Sequence, residues 1–235
     1  MVIFSSGFSF RSFIKAFFSS IYAGRLIKNT IMINVLLLVF SFPAPIILAL
    51  LLNEVKNKHF KKTIQTISYM PHFISMVVIC GLLVDFCSST GIITTITTLF
   101  GAQRDNLLNR PELFRTIYIA SDIWQSVGWG SIIYLATLSG TDPNLYEAAA
   151  IDGATPKQQL FSITLPMLKR TTLLILMLQI IASFKVYAQI KLITGGGPGR
   201  ATRPLIQYIY EQAFTKQKLG PACAMSFVLF FILIL

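Results

Sequence analysis

The chain has 235 residues, of which 54% are hydrophobic and 12% charged, about half the charged share usual in soluble domains. With 20 Lys+Arg against 9 Asp+Glu its formal net charge is +11. Too few charges remain to cover a globule of this size, which excludes a disordered chain and an ordinary soluble domain and points to a bilayer.

In chain order, Met1–Asn29 carries Arg11, Lys15, Arg25 and Lys28. It lacks a small-residue cleavage site after a short apolar core, so it does not read as a signal peptide. A helix needs about 20 apolar residues to cross hydrocarbon. Ile31–Leu52 meets this with no charged residue. Asn53–Gln65 follows with Lys56, Lys58, Lys61 and Lys62. Ser68–Val84, with its flanks, forms a second run holding only His72 as a possible charge. Ile92–Phe100 is too short to span and reads as interfacial or re-entrant. Leu113–Leu138 is a third run, with Arg115 near one end and Asp122 inside. Thr171–Ile190 is a fourth, provided Lys185 snorkels to the interface. Gly220–Leu235 is an apolar fifth, short run. The cysteines Cys80, Cys87 and Cys223 form no CxxC and read as small buried hydrophobes.

The lysine cluster of Asn53–Gln65 belongs in the cytoplasm by the positive-inside rule. The basic residues therefore read as membrane topology and not as a nucleic-acid surface. Alternation then places Ser88–Glu112 outside, Ser139–Arg170 inside and Lys191–Leu219 outside. Met1–Asn29 also falls outside, against the rule, and a missing N-terminal span would account for that conflict.

The inner loop Thr141–Pro166 reads TDPNLYEAAAIDGATPKQQLFSITLP. Asp142 suits an N-cap with Pro143 at the first helical position. Asn144–Ile151 is rich in helix formers, and Gly153 supplies a turn. Thr155 caps a second helix, with Pro156 at its start and Gln158 at capping-box spacing. The expected grammar is helix, glycine turn, helix, then Pro166 at the entry to the next run.

Glu147-Ala148-Ala149, Asp152-Gly153 and, further on, Ile163-x-Leu165-Pro166 stand at the spacing of the loop signature of importer permeases of the ATP-binding-cassette superfamily, which the chain resembles. Phe42-Pro43-Ala44-Pro45-Ile46, Leu51-Leu52-Asn53-Glu54, Tyr69-Met70-Pro71-His72-Phe73-Ile74-Ser75, Ile123-Trp124 and Gly128-Trp129 are similar to the carbohydrate-importing branch, especially that for oligosaccharides and polysaccharide fragments. Thr194-Gly195-Gly196-Gly197-Pro198-Gly199 resembles the disaccharide and glycerol-phosphate branch too. The resemblance covers about Ala23 to Leu235. It implies an all-α polytopic bundle of the type I importer permease fold, with about five spans here and the family's first span missing. Residues 1–28 would be an extracytoplasmic segment and 29–235 the permease domain, with the cytoplasmic coupling loop at 139–168. The implied coupling residues are Glu147, Ala148, Ala149, Asp152, Gly153, Ile163, Leu165 and Pro166. The implied partners are ATPase subunits, a second homologous permease, an extracellular solute-binding protein, a carbohydrate substrate and the lipid of a bacterial cell membrane. No nucleic acid, cofactor or metal is expected.

No GxxxxGK[ST] occurs, so ATP would be hydrolysed on another chain. Gly195–Gly199 is either a flexible outer turn or a docking point for the binding protein. Asp122, Gln125 and Trp129 share one helix face at spacings of three and four, and a lipid-facing position would penalise them. That stripe either lines a sugar pathway or joins helices. Tyr69, His72, Trp124 and Tyr134 either present faces to a sugar or serve as an interfacial belt. A membrane enzyme would need converging carboxylates, and Asp122 is separated from Glu147 and Asp152, so no catalytic residue is expected. A proton-coupled secondary carrier for a small polar solute would have only Asp122 and His72 as relays.

Overall fold

The computed structural model of the chain describes residues 14–15, 17–19, 23–101, 103–183, 188–194 and 204–234. Among them every regular element is helical: α1 (Ala23–Leu36), α2 (Pro43–Glu54), α3 (Lys58–Tyr69), α4 (Met76–Cys87), α5 (Ile92–Leu99), α6 (Pro111–Ser139), α7 (Pro143–Ile151), α8 (Pro156–Gln159), α9 (Leu165–Ser183), α10 (Ala188–Thr194), α11 (Leu205–Tyr210) and α12 (Leu219–Ile234). Ala23–Glu54, Met76–Leu99 and Pro156–Ala182 are long and apolar enough to cross a membrane. The 29 residues of α6 also exceed the ~20 a span needs, although Glu112, Arg115 and Asp122 dilute its apolar character. Leu219–Phe231 is a shorter apolar helix. Lys185 and Gly195–Gly199 lie outside the described residues.

The second run begins later than the sequence suggests. Pro71 stands in a 3-10 turn, Met70–Phe73, which ends α3, and the long apolar stretch starts at Met76. Proline lacks an N–H and crowds the preceding turn, so the chain breaks there and restarts. Ile92–Phe100, expected as a separate interfacial piece, is largely α5, which follows α4 after a turn at Ser88–Gly91.

Two helices widen before a proline. A π-turn at Leu37–Ser41 precedes Pro43, and another at Leu160–Thr164 precedes Pro166. In the first, the Phe42 N–H reaches the Leu37 carbonyl at 3.2 Å. A proline interrupts the regular ladder, and a widened turn just before it keeps the helix continuous through the break.

The described chain divides into two compact units. In the first, Phe17, Leu26, Leu205, Ile209, Met225 and Leu229 form an apolar cluster between α1, α11 and α12. The Thr30 hydroxyl donates to the Leu26 carbonyl at 2.8 Å and accepts the Leu205 N–H at 2.8 Å. It thereby serves one of the N–H groups that the start of α11 leaves without an intrahelical partner. Cys80 and Cys87 are buried, as their reading as small hydrophobes requires, whereas Cys223 lies on the exposed side of α12.

In the second unit, Ala49 and Leu52 of α2 pack with Tyr134, Leu135 and Leu138 of α6 and Leu168 of α9. The Thr137 and Thr171 hydroxyls meet at 3.1 Å. Helices in hydrocarbon gain nothing from water release, so close fit decides their association. Gly128 shows this: a Cβ there would overlap the Ser68 carbonyl, so only glycine lets α6 approach the end of α3 this closely.

Candidate functional site

The candidate residues named from the sequence fall in two groups, both in the second unit. The first is the polar loop after α6. Gly140 ends that helix, its N–H reaching the Ala136 and Thr137 carbonyls at 3.2 Å. The Asp142 carboxylate accepts the Asn144 N–H at 3.0 Å, and Pro143 opens α7. At the other end the Gly153 N–H bonds the Ala150 carbonyl at 3.1 Å and the Ala154 N–H bonds the Ala149 carbonyl at 2.9 Å. This paired closure needs a left-handed residue, and Gly153 supplies it with φ +79°. The Thr155 N–H then donates to Gln158 Oε1 at 2.7 Å, while the Gln158 N–H returns to Thr155 Oγ1 at 3.4 Å. That reciprocal pair is the capping box of α8.

The result is a short helix, closed at both ends, with no residue fully buried. Glu147, Ala148, Asp152 and Gly153 are exposed and Ala149 is half-buried. Ile151 is 86% exposed at the tip. Ile163 and Leu165 are half-buried and Pro166 exposed; they belong to the π-turn and the start of α9, away from this tip. The two parts are joined by the Tyr146 hydroxyl, 3.0 Å from Thr164 Oγ1. Behind the loop lies a cleft of about 580 Å³, lined by Asn53 and Glu54 of α2 and by Tyr146, Lys157, Gln159 and Leu160. Ile151 ends the helix expected to dock, whereas Tyr146 and Thr164 were not among the expected site residues. Ile151 was legible as an apolar residue beside Asp152 and Gly153, but the Tyr146–Thr164 contact has no local signal.

The second group is a polar–aromatic face on α6. Trp129 stacks on His72, centroid to centroid 4.6 Å and 1° from parallel, and meets Phe73 edge-on at 5.7 Å. The 3-10 turn at Met70–Phe73 sets both partner rings against α6. Trp129 remains 46% exposed, so the stack keeps a face open. Asp122 lies nearly two turns away along α6. Its Oδ2 is sealed from solvent, with the Ser41 side chain beside the carboxyl. A carboxylate within a span is costly to bury and is kept away from lipid. Gln125 and Tyr69 are half-buried. The structure thus brings Trp129 together with His72 and Phe73, while Asp122 is set toward Ser41. Phe73 was the ring missed in the sequence. Among the described residues no group of three His, Cys, Asp or Glu is placed to hold a metal ion.

Known proteins resemble this chain over most of its length. Residues 41–235 match the family model described as "Binding-protein-dependent transport system inner membrane component". Over 156 residues the chain is 45% identical to the polygalacturonan/rhamnogalacturonan transport system permease protein YteP of Bacillus subtilis (strain 168), covering 66% of this chain and 49% of that protein. It is 35% identical over 206 residues to protein LplB of the same organism, covering 87% and 65%. The chain thus spans about half to two thirds of the length of these curated relatives. A crystal structure of a bacterial ABC transporter involved in import of the acidic polysaccharide alginate is similar at 36% identity and a TM-score of 0.91, covering 98% of this chain and 83% of that one. A further structure of a bacterial alginate ABC transporter, in complex with an alginate pentasaccharide-bound periplasmic protein, is 37% identical with a TM-score of 0.88, covering 94% and 79%. With five-sixths of its length inside the family model and its helices superimposing on a solved importer, the chain belongs to the family of inner membrane components of binding-protein-dependent transport systems.

Proposed function

We propose that the chain is the permease subunit of an ATP-driven importer that moves a carbohydrate, an oligosaccharide or polysaccharide fragment, across a bacterial cell membrane. The loop 139–168 faces the cytoplasm in this reading, and residues 29–235 form the transporting domain behind a 1–28 extracytoplasmic segment. The observation that carries it is the capped, exposed α7 with Ile151 uncovered at its end. Glu147, Ala148, Ala149, Asp152 and Gly153 present it to a cleft of a separate ATPase. Tyr146, Ile163, Leu165 and Pro166 transmit movement of the tip into α9. Closure of two ATPase subunits would rock this chain against a second, homologous permease, exposing the pathway to alternate sides. An extracellular binding protein delivers the sugar. The subunit itself makes and breaks no covalent bond.

The relatives that carry polygalacturonan, rhamnogalacturonan or alginate support a polymeric, sugar-derived substrate. The open face of Trp129 suits the C–H face of a pyranose ring, and Asp122, Gln125 and Tyr69 suit its hydroxyls. Reconstitution with the ATPase and binding protein tests the reading. Uptake that requires ATP and survives a protonophore supports it; uptake that collapses with the proton gradient would make the chain a secondary carrier relaying protons through Asp122.

A further inference from the structure

Only Val55–Asn57 separate α3 from α2, so α3 is held where the first span leaves hydrocarbon. The Asn57 side chain accepts the His59 and Phe60 N–H groups at 3.0 and 3.1 Å, fixing its start. No residue of α3 is fully buried. At ~100° per residue, Phe60, Ile64 and Ile67 fall on one side, Lys58 and Lys62 on the other, and Lys61 on the flank. Ile64 packs on the core of the second unit, which leaves Phe60 56% and Ile67 64% exposed. Among the described residues, Lys56, Lys58, Lys61 and Lys62 join no ion pair. The sequence has no Asp or Glu from Val55 to Val84.

We propose that the first turns of α3 sit at the membrane surface, where Lys58, Lys61 and Lys62 bind anionic phospholipid headgroups and Phe60 rests at the headgroup–acyl boundary, while Ile67 faces lipid deeper along α6. An apolar edge beside unneutralised lysines, tethered to a span by three residues, fits a charged bilayer surface. The inference rests on the membrane setting alone and not on ATPase coupling or the sugar.

The test uses the full chain in nanodiscs of phosphatidylcholine with or without phosphatidylglycerol. An environment-sensitive fluorophore is placed at I67C after the native cysteines are replaced by alanine. The probe should report an apolar setting, and native mass spectrometry should show retained phosphatidylglycerol. K58Q/K61Q/K62Q should lower that retention by roughly tenfold or more, since each lysine near an anionic surface contributes roughly fivefold. K58R/K61R/K62R should keep it, and salt should weaken it in the parent chain. A water-exposed probe in both discs, or unchanged retention in the glutamine variant, overturns the proposal. So does a glutamine variant that keeps the lipid but loses a co-purifying protein, which would make α3 a protein-docking surface. Should the glutamine variant fail to fold, the salt titration and the probe at position 67 decide alone.

Discussion

At Gly153 the backbone takes φ +79°, a conformation that costs a side-chain-bearing residue ~1–2 kcal/mol and a β-branched one more. Gly153→Val should therefore reopen the end of α7 and lower ATP-coupled uptake by roughly tenfold or more. Uptake and assembly equal to the parent would reduce Gly153 to an ordinary loop residue. Trp129→Ala removes the ring that stacks on His72 and meets Phe73 edge-on. Such pairs are worth ~0.5–1.5 kcal/mol beyond area burial, so uptake should fall roughly tenfold with the complex intact, and Trp129→Phe should recover much of it. For Asp122→Asn the informative measurement is co-purification beside uptake. Loss of uptake within an assembled complex, by roughly tenfold, places the carboxylate on the pathway. Loss of assembly makes it a joint between helices, and no change in either removes it from both roles.

The inner loop stands on two caps, and each is separable. Asp142→Ala and Thr155→Ala should each cost ~1 kcal/mol of local helix stability, seen as roughly fivefold faster amide exchange in the first turns of α7 and α8. Unchanged exchange would show that tertiary contacts, such as Tyr146 with Thr164, hold the loop by themselves. These caps were legible in the sequence because their grammar is local: Asp-Pro, Ala-Ala-Ala, Gly, then Thr-Pro-x-Gln all lie within one reach of chain. The apolar runs were legible for the same reason. The π-turns before Pro43 and Pro166 were not, since a widened turn leaves no mark of its own in composition. The break at Pro71 shifted the start of the second run from Ser68 to Met76, because a hydropathy count does not see a missing N–H. The ring cluster was half legible. Helical spacing set Trp129 on a face with Gln125 and Asp122, but its partners His72 and Phe73 lie far away in sequence, and contact between them depends on Gly128 admitting Ser68.

For the whole molecule the decisive quantity is orientation. A cysteine introduced at Lys58 or Gln158, with native cysteines removed, should be labelled only from the cytoplasm, and one at Arg104 only from outside. Labelling of position 158 on intact cells would overturn the direction of the loop and with it the ATPase contact. The π-turn at Leu160–Thr164 bears on the same loop in a different way. It adds a residue to the helix without adding a matching rotation, so everything upstream is set by chain length as well as by side chains. Excising one residue there would restore a regular helix with little swing, whereas excising one from the regular part of α9 would swing α7 by ~100° about its axis. The aim of Ile151 is thus written in a count of residues, and a single-codon deletion could disengage the drive shaft while every docking side chain stays in place.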